Sequence, residues 1–248
     1  MRGVARRAVD AGGQPAFYGR TGSTRGDLLT LLHPPYTAWH LSYVIYGAAL
    51  SPELDLVRLA GTLAAFLFGT GIAAHALDEW HSRPLQTEVG DRALLTAGVL
   101  AIFAAGAITV AGVFVISPWV AIWGMLGVAL MLGYVLEWRE ALHSDLAFAV
   151  SWGGFPVLVG YWAQAEGLSA AALLVAVAAS LLSLAQRALS TPARRVWRTA
   201  SVVTTVLEGP AAVERWPRER LLATWESPLK LICAAVVVLA GGLLAMRV

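Results

Sequence analysis

ALLTAGVLAIFAAGAITVAGVFVISPWVAIWGMLGVALMLGYVL, residues 93–136, contains no charged side chain. It reads as two membrane helices in succession, 93–115 and 118–136, because a span across the hydrocarbon core needs about 20 mostly apolar residues. Further apolar stretches lie at 36–51, 54–77, 146–163, 169–189 and 229–246, giving about seven expected spans. The composition agrees. Of 248 residues, 58% are hydrophobic and 14% charged, against roughly 25% charged in a soluble domain. Strand-like alternation long enough for a membrane barrel is missing from the sequence. The expected fold class is an all-α integral membrane bundle. Pro156, beside Gly153 and Gly154, predicts a kink in the fifth span.

The positive charges orient the bundle. An N-terminus in the cytosol puts all but Arg58 and Arg247 of the 18 lysines and arginines on the cytosolic side, as expected for cytosolic loops. The chain is therefore expected to be a multi-pass protein of the cell membrane. Residues 1–30 read as a basic cytosolic tail and 31–248 as the transmembrane domain. Within it, 190–228 reads as a cytosolic loop broken at Gly209 and Pro210. This loop is expected to form two amphipathic surface helices, with Trp197, Trp216 and Trp225 toward the interface. Membrane lipid and a lipophilic substrate are the expected partners, with a membrane-protein partner or a second copy left open; nucleic acid is not among them. The lone cysteine, Cys233, excludes an intramolecular disulfide and reads as helix packing. Gly61, Gly69, Gly71, Gly98 and Gly106 also read as close helix packing.

In this topology all five histidines fall on the cytosolic side: His33, His40, His75, His81 and His143. The segment 75–92, HALDEWHSRPLQTEVGDR, sets His75, Asp78 and Glu79 at i, i+3 and i+4, which shares one helical face. Ionisable groups at membrane depth are costly and usually face a cavity or a partner. A second polar segment, YVLEWREALHSD at 134–145, brings Tyr134, Glu137, Arg139, Glu140 and His143. Gln186 and Arg187 complete a ring at the end of the sixth span. Two chemistries suit these residues. Carboxylates can hold magnesium that bridges a diphosphate, with Arg83, Arg139 and Arg187 neutralising charge as the diphosphate leaves. Alternatively His75, Asp78, Glu79, His81 and His143, with His40 nearby, form a histidine–carboxylate set for zinc or iron. Sequence signatures of a serine hydrolase, a P-loop or a dinucleotide fold are missing.

Residues 28–190 resemble the UbiA-type membrane prenyltransferase superfamily. LLHPPYTAWHLSYVIYGAALS (31–51) is similar to that family's first helix. GTGIAAHALDEWHSRPL (69–85) is similar to the end of its second helix, including the trailing Arg83-Pro84-Leu85. Tyr134 through Arg139 and SWGGFPVLVGYWAQ (151–164) resemble later elements. The resemblance implies a prenyltransferase-like enzyme, with Asp78 and Glu79 as metal or diphosphate ligands and Tyr134 positioning substrate. His40, Arg83, Arg139, Gln186 and Arg187 would then bind substrate. The family's second acidic motif has no counterpart: LAQRALSTPARRVWR (184–198) contains no acid. That departure keeps open a non-catalytic, lipid-binding membrane protein.

Overall fold

The structure, a computed structural model, describes residues 16–19, 23–199, 204–208 and 213–248. Arg2, Arg6, Arg7 and Arg20 of the basic tail, and the Gly209–Pro210 break, lie outside them. A short helix α1 (Thr24–Leu31) precedes α2 (Pro34–Ala49), α3 (Leu56–Ser82), α4 (Asp91–Val115), α5 (Val120–Val135), α6 (Asp145–Ala165) and α7 (Ala170–Thr199). A two-stranded hairpin, β1 (Thr204–Glu208) and β2 (Val213–Pro217), leads into α8 (Arg218–Ala245). The seven stretches expected to span all fall on helices, α2 to α8, but the expected count of seven spans is not met among the described residues.

Five of these helices are long and apolar enough to cross a membrane: α3, α4, α6, α7 and α8. Two are shorter. The 16 residues of α2 and of α5 rise about 24 Å, less than the roughly 30 Å hydrocarbon core. The burial pattern suits lipid as the outer solvent. On α4, Phe103 is 71% and Phe114 85% exposed, and a patch of this kind marks an interaction or membrane surface. By contrast, α6 is the central helix, with 67% of its most apolar window buried.

The core forms where α2 meets α6, α7 and α8. Tyr36, Trp39, Tyr43 and Tyr46 pack against Val157, Ala176, Ala179, Leu229, Cys233 and Val236. The buried thiol of Cys233 accords with its reading as a packing residue. Two glycines let α2 and α6 approach backbone to backbone. A Cβ on Gly47 would overlap the Val157 carbonyl, and one on Gly160 the Val44 carbonyl. Overpacking of this kind costs about 1–3 kcal/mol or more. Gly47→Ala and Gly160→Ala should therefore each lower the melting temperature in detergent. Gly241→Ala, with nothing within 4 Å of its added carbon, should not. Wild-type melting of Gly47→Ala would contradict this crossing.

Contacts at the helix ends define two faces. On one, Arg58 donates to the Ala163 and Gln164 carbonyls at the end of α6 and pairs with Glu166 at 3.3 Å. On the same face Arg247 donates to the Ser51 and Pro52 carbonyls. Asp55 caps α3 there, accepting from the Val57 and Arg58 amides; these bonds hold its carboxyl below the usual carboxylate range. The opposite face gathers the starts of α2, α6 and α8 and the ends of α3, α5 and α7.

The segment 190–228 departs from expectation. Instead of two surface helices, α7 runs on to Thr199, strands β1 and β2 pair antiparallel from Thr204–Pro217 to Glu208–Val213, and α8 begins at Arg218. The β-branched Thr204, Thr205 and Val206 favour strand over helix. The basic and aromatic residues pair with one another: Arg218 lies over the Trp197 ring at 4.4 Å and Arg220 over Trp216 at 4.5 Å. The Trp197 indole N–H donates to Glu226, which Lys230 pairs at 3.3 Å. Just before Pro156, where a kink is expected, the helix makes a π-helical turn, Val150–Gly154. A second π-helical stretch, Leu67–Ala74, interrupts α3. Such segments often accompany functional sites, and both of these border the cavities described next.

Candidate functional site

Two cavities lie one above the other along the bundle, each open on one side. The smaller, about 90 Å³, is polar and sits at the face where α2 begins. Its wall includes His33, His40, His75, Asp78, Gln186, Arg187 and Arg194. The larger, about 690 Å³, is apolar and lies deeper, between α3, α4, α5 and α6. Trp152 lines both.

The polar wall is built by local bonds. His33 has a left-handed backbone (φ 46°) just before Pro34–Pro35, and its Nδ1 is hydrogen-bonded to the Tyr18 hydroxyl at 2.9 Å. Its ring stacks on His75 at 4.2 Å and 12°. The Nδ1–H groups of His40 and His75 donate to the carbonyls of Trp152 and Gly71. In each neutral ring this leaves Nε2 as an acceptor. Arg187 joins three helices: its Nε donates to Asp145 at 2.8 Å and its Nη1 to the Tyr134 hydroxyl at 2.8 Å. The guanidinium also lies 5.0 Å from the centre of the Phe148 ring. Phe148 and Trp152 stack at 5.5 Å and 10°, and Tyr134 leans on Trp152 at 4.6 Å. These three rings floor the polar cavity.

Five buried polar atoms near this wall close no hydrogen bond of good geometry among the described residues: Trp39 Nε1, Tyr43 OH, Ser183 Oγ, Gln186 Oε1 and Ser190 Oγ; Tyr43 faces Ser183 and Trp39, and Tyr36 faces Gln186 and Ser190. They line facing stripes of α2 and α7. Buried polar groups are normally satisfied, and Gln186, 4% exposed, lines the cavity itself.

The expected site residues divide. His40, His75, Asp78, Tyr134, Gln186 and Arg187 meet at the polar cavity. Glu79 does not. It is fully buried, and its carboxylate accepts from the Leu85 amide, the Thr87 amide and the Thr87 hydroxyl. Consecutive helical residues are rotated by about 100°, so Glu79 faces the loop after α3 while Asp78 faces the cavity. Arg83 is likewise committed to that loop, donating to the Thr87 and Val89 carbonyls and pairing with Asp91. His81 and Arg139 are exposed, away from the cavity wall. His143 stacks on Tyr134 at 4.6 Å and lies 3.7 Å from Glu137, outside the wall.

The set His75, Asp78, Glu79, His81 and His143 therefore does not gather. Among the described residues no three histidine, cysteine or acidic side chains stand where they could hold a metal ion. The parallel stack of His33 on His75 keeps those two rings from converging on one ion. Among the described residues Asp78 is the one carboxylate on the polar wall, so a magnesium pair would lack ligands there.

Sequence reading missed Tyr36, Phe148, Trp152 and Arg194 on the wall. A signal for two of them existed. Tyr36, His40 and Tyr43 recur at helical spacing on α2, and Arg194 lies two turns beyond Arg187 on α7.

Comparison with known proteins gave no match to a family model, to a curated protein or to a solved structure.

Proposed function

We propose that this protein binds an amphiphile with an anionic head, and that it acts as a prenyltransferase-like, UbiA-type transferase on an isoprenoid substrate. The head sits in the polar cavity, against Arg187 and Arg194, and the tail passes Trp152 into the apolar cavity. The observation that carries this reading is that the two cavities share Trp152 and are stacked on the same helices. Thr70 precedes Ala74 on α3 by one turn, and Met131 precedes Val135 on α5 by one turn; each pair has one member on each wall. A polar site of about 90 Å³ is too small for a whole lipophilic ligand, which typically needs about 300–1,000 Å³. The 690 Å³ cavity below is in that range.

In this reading Arg187 and Arg194 stabilise the charge that develops on a departing diphosphate. Tyr134, held by Arg187, positions the head. Asp78 accepts a proton from the attacking acceptor. The donor set does not fit a magnesium pair, so the arginines carry the charge that metal ions would otherwise balance. The arginine-rich face, which among the described residues holds the lysine and the arginines other than Arg58 and Arg247, is assigned to the cytosol.

The test is binding of a prenyl diphosphate to the protein in nanodiscs, with chelator present, followed by turnover with aromatic acceptors. Saturable binding that persists in chelator, with product lost in Asp78→Asn, is the expected result. No binding overturns the reading. Binding without turnover favours a lipid-binding protein, a second reading suggested by the absence of acids in 184–198.

A further inference from the structure

We propose that Gly61, Gly69 and Gly106 form a ruler that sets how long a hydrocarbon chain the apolar cavity accepts; this rests on the tail placement proposed above. The five glycines first read as helix-packing residues fall into two kinds. At Gly71 and Gly98 an added Cβ would press on a neighbouring side chain, Thr37 at 3.0 Å and Leu77 at 2.7 Å. At Gly61, Gly69 and Gly106 nothing lies within 4 Å of that carbon, and all three line the cavity, Gly61 and Gly69 partly buried and Gly106 exposed on its open side. Their missing side chains create room, where those of Gly71 and Gly98 permit contact.

The three stand at two depths. Leu77 of α3 packs on Gly98 of α4. Eight residues further along each of these antiparallel helices come Gly69 and Gly106, which are therefore level with each other. Gly69 adjoins Thr70, close to the Trp152 end. Gly61 is about 12 Å further along α3, toward Val57 and Arg58 at the far mouth. A side chain at Gly69 or Gly106 should stop a chain early, whereas one at Gly61 should stop only the longest.

The experiment uses the full chain in nanodiscs and prenyl diphosphates that lengthen by one isoprene unit. Binding is measured for wild type, Gly69→Val, Gly106→Val, Gly61→Val and the control Gly241→Val, which has equal space around it but lies outside the cavity. Gly69→Val and Gly106→Val should weaken the medium and long chains about tenfold or more and spare the shortest. Gly61→Val should weaken only the longest, and Gly241→Val none. A parallel arm photolabels each variant with a prenyl chain carrying a terminal diazirine, both as diphosphate and as free alcohol. The ruler requires α4 or α5 to be labelled in wild type and less so in Gly69→Val. If alcohol and diphosphate label equally and Arg187→Gln changes neither, the head site fails while the ruler stands. Equal weakening of every length, or labelling indifferent to the glycine changes, overturns the ruler and leaves bulk lipid as the occupant.

Discussion

Glu79→Ala is expected to melt far below wild type while still binding an anionic amphiphile at low temperature. The Glu79 carboxylate is the acceptor for three donors, the Leu85 and Thr87 amides and the Thr87 hydroxyl, in a fully buried setting. A buried donor left unsatisfied costs about 1–3 kcal/mol, so the set is worth about 3–5 kcal/mol, at the upper end for a single substitution. The loop they anchor carries Leu85, which packs with Leu31 and Leu94, and its Glu88 amide donates to the buried Asp27 of α1. Glu79→Gln should fall between, since its amide oxygen can still accept from Thr87 while its NH₂ opposes the Leu85 amide. Thermal melting in detergent, paired with binding, reads both effects. Unchanged melting with lost binding would return Glu79 to the ligand set.

Arg187→Gln is expected to weaken binding of a prenyl diphosphate about ten- to a hundredfold, for every chain length alike. A hydrogen bond to a charged group contributes about 1.5–3 kcal/mol, which corresponds to that range of affinity. Arg187→Lys should not restore it. One ammonium cannot hold Asp145 and the Tyr134 hydroxyl in the fixed geometry of the guanidinium. It would also lose the contact over Phe148. Wild-type affinity in Arg187→Lys, measured by the same titration, would show that position 187 acts only as a diffuse positive charge.

The helices were legible because charge-free runs such as 93–136 have few alternatives. The polar end of the bundle was legible in part, because His75, Asp78, Gln186 and Arg187 interrupt apolar stretches. Glu79 shows the limit of periodicity. Its neighbour Asp78 faces the cavity, and only the partners supplied by the loop at 85–87 decide which carboxylate turns inward. The hairpin at 204–217 was hidden by arginines and tryptophans that suit an amphipathic helix equally well. The glycines were ambiguous for a different reason. A missing side chain permits either contact or space, and only the neighbouring helix distinguishes Gly98 from Gly106. The π-helical turns at Leu67–Ala74 and Val150–Gly154 have no composition of their own.

The most direct measurement is a structure of the protein in nanodiscs with a bound prenyl diphosphate. The account predicts head density between Arg187, Arg194 and Gln186, and a tail that passes Trp152 to lie against Gly69 and Gly106. A ligand on the outer surface of the bundle, with the Trp152 ring still separating two cavities that share no density, would contradict it.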